Sequence, residues 1–194
     1  MRIALITSDE ARYIEKLAEG IIKREVECEI ALVITNKPNS RAIGVCAKYG
    51  VPCEIIDNRY FSDREEHDRA IMRKLDESNI DLVILAGYMR LIKNKIFLER
   101  YHGGMINLHL SLLPKFPGAM PHEGVHRTGD MISGYTFHFV NGDADGGNII
   151  KQSEVFIGDC ISAKEIYDRL VLESCIGLKR LINDFSRKSV RMRI

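Results

Sequence analysis

Apolar positions along this chain follow two periods. The runs "RIALIT" (2–7), "CEIALVIT" (28–35), "PCEIID" (52–57) and "IDLVILAGY" (80–88) are short, rich in branched residues and bounded by turn formers. Each predicts a strand buried on both faces, and the last, being the most apolar, predicts a central one. Between them the spacing lengthens to that of helices. Over roughly 10–24, Ile14, Leu17, Ile21 and Ile22 share one face, with Ser8 and Asp9 ahead of them as caps. A short helix near 41–49 starts from Ser40 and ends at Gly50. A charged amphipathic helix over 62–79 places His67, Ile71 and Leu75 together. "NKIFLERY" predicts a brief helix and "GGMINLHL" the next strand.

Strands alternating with helices predict βαβ units and an α/β fold, a doubly wound, mostly parallel sheet. The second half differs. "SGYTFHFV" and "GGNIIKQSEVFI" are strands with only a short connection, which predicts an antiparallel hairpin. A long helix near 162–184 follows, apolar at Ile166, Leu170, Ile176, Leu178 and Leu181, and the basic segment 186–194 reads as a solvated tail. No linker interrupts the pattern, so one domain over 1–194 is expected. Ligands of open parallel sheets bind beyond the carboxyl ends of strands, here the loops after residues 7, 35, 57, 86, 109 and 140. The first of these reads "TSDEARY", with two carboxylates and no glycine. A glycine-rich phosphate loop is absent, and nucleotide binding by that route is not expected.

Composition narrows the function class. Hydrophobic residues make up 45% of the chain, charged residues 28%, and the net charge is +1. That balance gives no bulk attraction to nucleic acid. No apolar run approaches the roughly 18 residues of a membrane span. The start lacks the apolar region of a secretory signal, so a cytoplasmic location is expected. Cys28, Cys46, Cys53, Cys160 and Cys175 are odd in number and irregular in spacing, which reads as buried free thiols in a reducing compartment, with no metal site.

The stretch "GGMINLHLSLLPKFPG" (103–118) carries the candidate chemistry. Strand alternation puts Asn107 and His109 on one face. "NGDADGGNI" then supplies Asp143 and Asp145 in a glycine-rich turn. An amide donor, an imidazole and a carboxylate suit acyl transfer without a protein nucleophile: the first two hold an oxyanion, the third charges the imidazole and moves protons. The pattern alone fits equally a satisfied polar pair at a strand end, with Asp145 a turn residue.

"NLHLSLLPKFPG", followed by "GYTFHFVNGDADGGNII", resembles the 10-formyltetrahydrofolate-dependent formyltransferases, whose best-known members act on phosphoribosylglycinamide. "LVILAGYMRLI" is similar to the folate-contacting strand and loop of that family. The resemblance runs from about residue 52 to 184 and more loosely from the start. It implies a Rossmann-like formyltransferase fold, a role in one-carbon metabolism and purine biosynthesis, and 10-formyltetrahydrofolate as co-substrate. It implies catalytic Asn107, His109 and Asp145. It also implies a donor site made of Tyr88, Met89, Arg90 and Leu91 with Val140, Asn141, Gly142, Asp143 and Ala144. Arg64, Arg12, His122 and Glu173 become candidates for the substrate side, and His138 matches a family histidine. The expected partner is a small-molecule amine, with a homodimer left open.

The departures concern the acceptor. Family members acting on phosphoribosylglycinamide carry a glycine-rich loop after the first strand that holds the substrate phosphate. Here Asp9 and Glu10 would repel phosphate, with Arg12 offsetting part of that. Ser174 falls where the family has a glutamate, and Glu173 is one residue off. A different amine, such as an amino-sugar nucleotide, a non-catalytic folate-binding protein and a hydrolase releasing formate are therefore alternatives.

Overall fold

The computed structural model describes the backbone of residues 1–191 and the side chains of residues 1–187. Its sheet has seven strands: β1 (Arg2–Thr7), β2 (Glu29–Thr35), β3 (Cys53–Ile55), β4 (Leu82–Ala86), β5 (Met105–His109), β6 (Ile132–Phe139) and β7 (Ile149–Phe156). Their order is β3-β2-β1-β4-β5-β6-β7. Pairing is parallel from β3 to β5 and antiparallel for β5–β6 and β6–β7. The hairpin expected in the second half is present, and the reversal already begins at β5. Connections leave β1 in opposite directions, which opens a crevice between the ends of β1 and β4.

Helices cover both faces. On one side lie α1 (Arg12–Ile22), α2 (Arg41–Tyr49), α5 (Pro121–Thr128) and α6 (Ala163–Arg191), packed through Ile14, Leu17, Leu170 and Leu178 against Leu5, Ile84 and Phe137. On the other lie α3 (Arg64–Glu77) and α4 (Lys95–Arg100), through Ile71, Leu75 and Phe97 against Ile6, Val83 and Leu85. This double coverage is why the strand runs lack polar alternation. β3 is the exception: it is an edge strand of three residues and only partly buried.

Caps set several helix starts. Ser40 Oγ accepts from Ala42 N, Asp63 Oδ1 from Glu66 N and Asn94 Oδ1 from Phe97 N. The caps expected for α1 are used elsewhere. Ser8 Oγ accepts from Met89 N, and Asp9 Oδ1 from Arg41 N, because these residues stitch the β1 loop to its neighbours. α6 continues to Arg191, beyond its expected end and through most of the expected tail; residues 192–194 lie outside the described ones. Cys46 and Cys175 are buried, whereas Cys28, Cys53 and Cys160 are only partly covered, since they flank the sheet margins rather than its centre.

Two features aim the site. The buried Asp68 carboxylate on α3 accepts from Lys93 N and Asn94 N, which anchors the loop after β4. The loop after residue 140 does not leave from the carboxyl end of β5. Since β6 is antiparallel, Val140 N donates to Met105 O at the amino end of β5, and the loop must cross the sheet face to return. Among the described residues, no helix is long and apolar enough to cross a membrane.

A pair of glycines tests the packing. A Cβ on Gly177 of α6 would stand 2.3 Å from Tyr135 Oη on β6. Gly177→Ala should destabilise by about 1–3 kcal/mol through overpacking. Gly44, exposed within α2, has nothing within 4 Å of such a Cβ. Gly44→Ala should stabilise by roughly 0.5–1 kcal/mol through helix propensity, both read from urea unfolding midpoints.

Candidate active site

On β5, Ile106 and Leu108 enter the core beneath α1 and α6, so Asn107 and His109 point to the opposite face. The antiparallel register sets Asn107 opposite His138 of β6. Directly opposed residues share a face, and Asn107 Nδ2 lies 3.0 Å from His138 Nε2. His138 Nδ1 is 2.9 Å from the Phe139 carbonyl. A carbonyl only accepts, so Nδ1 carries a proton and Nε2 is left to accept from the Asn107 amide.

The turn after β5 holds the second imidazole. Leu113–Pro114 is cis and Phe116 has a positive φ of 52°. Ser111 Oγ donates to Lys115 O at 2.6 Å, closing the turn. The Phe116 carbonyl thereby faces His109 Nε2 at 2.8 Å and takes its proton as a hydrogen bond. The ring is pinned at that end, and Nδ1 looks towards Asp145 Oδ1 at 3.4 Å.

Asp145 is where these groups meet. It has a left-handed φ of 51°, and its Oδ2 accepts from Gly118 N at 2.7 Å. Oδ1 lies 3.3 Å from Asn107 Nδ2, 3.4 Å from His109 Nδ1 and 3.5 Å from His138 Nε2. Burial pushes this carboxyl up, but His138, the Gly118 N–H and the charge of His109 outweigh it and hold it below 3.8. Asp145 is therefore ionised at neutral pH. One short bond fixes the carboxylate, and its other oxygen has three nitrogen neighbours at long range.

These residues form the floor of a cavity of about 560 Å³. Tyr88, Met89, Arg90 and Leu91 line one wall, and Val140, Gly142, Asp143 and Ala144 line the wall beside it. Asn141 is absent from the lining: it braces the loop from behind, accepting from Asp143 N and donating to Gly146 O. Tyr88 Oη and Arg90 Nε are buried without a hydrogen-bond partner, although both residues line this end of the cavity. Burial pushes the Tyr88 phenol up, so it stays protonated.

The far end is lined by Glu10, Tyr13, Met120, His122 and Tyr167. Burial holds the His122 imidazole low, hence neutral, and its Nδ1 has no partner. Of the four residues expected on the substrate side, His122 alone lines the cavity. Arg12 lies behind Glu10, bound to two carboxylates. Glu173 is exposed on the outer face of α6, while Ser174 is buried and bonded to Tyr13 Oη at 2.9 Å. The one-residue offset on a helix turns a side chain by about 100°, which is enough to put Glu173 outside. Arg64 is exposed at the first turn of α3, outside the lining. Sequence reasoning missed Tyr13, Met120 and Tyr167; Tyr13 lies on the buried face of α1, but nothing local marked it as facing a cavity. Among the described residues, no cluster of His, Cys, Asp or Glu could hold a metal ion.

Comparisons with known proteins bear on the family and the fold. The family model described as formyl transferase matches residues 1–181. The phosphoribosylglycinamide formyltransferase of Haemophilus influenzae is 32% identical over 168 residues, covering 87% of this chain and 79% of that protein. The trifunctional purine biosynthetic protein adenosine-3 of Homo sapiens is 34% identical over 163 residues, 83% of this chain. The chain spans only 16% of that protein's length. The crystal structure of glycinamide ribonucleotide transformylase 1 from Symbiobacterium toebii superposes with a TM-score of 0.91 at 26% identity, covering 97% of this chain and 88% of that one. With the family model spanning nearly all of its described length, the chain belongs to the formyl transferase family.

Proposed function

We propose that this chain transfers a formyl group from 10-formyltetrahydrofolate to a primary amine, with phosphoribosylglycinamide the nearest named acceptor. All 194 residues then serve as one catalytic domain acting on small molecules in the cytoplasm, without nucleic-acid or membrane partners. The observation that carries the reading is the convergence of Asn107, His109 and His138 on the Asp145 carboxylate at a cavity floor.

Tyr88 and Arg90 would line the pocket for the heterocyclic head of the donor, and Met89 and Leu91 would cover its apolar faces. The 140–144 loop closes the other side. The acceptor amine attacks the formyl carbon directly, since no activated Ser or Cys lies at the floor. Charge then develops on the formyl oxygen. Asn107 exchanges its 3.3 Å contact with Asp145 for that oxygen. His109, pinned at Nε2, offers Nδ1–H to the same oxygen when both ring nitrogens are protonated. Collapse needs one proton removed from the attacking nitrogen and one delivered to the departing donor nitrogen. Asp145 and His109 are placed to relay it, with His138 holding Asn107 in register.

The assay is formyl transfer to phosphoribosylglycinamide, followed as deformylated folate and run beside a no-amine control. Amine-dependent turnover is expected. Equal release without amine would make the protein a hydrolase, and donor binding without turnover on any amine would make it a binding protein. Asn107→Ala should lower turnover by a factor on the order of 10²–10³. Asp145→Asn should reduce turnover far more than donor affinity; equal loss of both would reassign it as a binding residue. Acid stability follows from two carboxyls held below their ordinary values, 3.8 for Asp145 and 4.5 for Glu10. A depressed carboxyl contributes stability above its unfolded pKa and loses it as pH falls through the folded one. Urea midpoints should therefore hold from pH 7 to about 5 and decline below that. The acid decline should be shallower in Asp145→Asn.

A further inference from the structure

The loop after β1 opens at the crevice where the sheet changes direction, just ahead of the N-terminus of α1. Free backbone N–H groups and a helix dipole would make this a ready anion site. Here three of the loop's N–H groups are already engaged. Ser8 N donates to Gly87 O, Glu10 N to Thr7 Oγ1, and Arg12 N to Glu10 Oε1 at 3.0 Å. The anion at the start of α1 is the chain's own Glu10 carboxylate.

That carboxylate is saturated. Oε1 also accepts from Arg12 Nε at 2.8 Å, and Oε2 accepts from Arg12 Nη2 at 2.6 Å and Tyr167 Oη at 2.5 Å. Arg12 in turn donates to Asp168 and stacks 5.0 Å over the Tyr167 ring. Asp168 also pairs with Lys164. The four charges, Glu10, Arg12, Asp168 and Lys164, cancel. Glu10 is 5% exposed, and a Cβ on residue 87 would stand 2.6 Å from its own Cβ, so the glycine there makes room for it. Burial pushes its carboxyl up, yet the bonds from Arg12 and Tyr167 hold it low and ionised. Of the residues lining the cavity, Arg90 alone is a cation, and it belongs to the opposite wall.

We infer that Glu10 sets acceptor specificity: by filling the anion position at α1 it selects a primary amine with an uncharged, hydroxyl-bearing body, such as an amino sugar or riboside without phosphate. Tyr13 Oη and Tyr167 Oη keep free lone pairs beside their existing bonds. Two phenol oxygens at this end thus suit the hydroxyls of such a body. A phosphate in the same place would meet a carboxylate and no free cation.

The inference rests on the formyl-transfer reading, and the experiment separates the two. Wild-type protein is assayed with phosphoribosylglycinamide and with its dephosphorylated riboside. The riboside should be used better, by at least about tenfold in kcat/KM, because a phosphate at the filled position would go unpaired. Glu10→Gln should narrow or reverse that preference. Faster transfer to the phosphorylated amine by wild type would overturn the inference while upholding formyl transfer. A readout free of turnover uses inorganic phosphate: amide resonances of residues 8–13 should stay unmoved in wild type and shift in Glu10→Gln. Saturable shifts in wild type would overturn the inference even if no amine is formylated.

Discussion

The antiparallel pairing of β5 with β6 is the constraint on which the site depends. It sets Asn107 against His138 on one face, and it reverses the chain so that the loop after Val140 begins at the wrong end of β5. That loop then crosses the face and delivers Asp145 to both imidazoles. A parallel β6 would need a crossover helix and would leave the carboxylate elsewhere. A slip of one residue would turn Asn107 and His109 into the core beneath α6 and expose Ile106 and Leu108 in their place.

Two buried carboxylates define the two ends of the cavity, and their hydrogen bonds give them opposite characters. Glu10 has every lone pair engaged at 2.5–3.0 Å within a neutral network, so it is a structural anion that fills its place and leaves nothing there to bind another. Asp145 is fixed by one short bond to Gly118 and otherwise shares three contacts at 3.3–3.5 Å. Loose contacts can be exchanged as charge moves during a reaction; saturated ones cannot. Chemistry belongs to the second kind of carboxylate and selection to the first.

Much of this was legible in the residues. Uninterrupted apolar runs mark the central parallel strands because both faces are covered, and Ser40 marks a helix start because capping is local, whereas Ser8 and Asp9, read the same way, bond to distant loops. Asn107 and His109 share a face by simple alternation. What could not be read is whatever long-range pairing decides. Arg12 looked free to meet a phosphate, since its second partner, Asp168, lies 156 residues away. Glu173 looked close enough to replace Ser174, until the helix phase turned it outward. Tyr13 and Tyr167 belong to helices at opposite ends of the chain and become neighbours of one cavity only through the packing of α1 on α6.

The rim of the cavity differs in kind from its floor. Met89 is 61% exposed and Met120 46%, and both stand at the mouth while the polar groups below them are locked by backbone carbonyls and amides. Thioether side chains are unbranched, polarizable and able to repack around different shapes. The entrance can therefore mould itself to the outline of whatever ring system arrives, while the reacting atoms meet a surface that does not yield. Tolerance and stringency are thus divided by depth, and a molecule that passes the mouth has been screened for little more than its apolar contour before it reaches the groups that judge its chemistry.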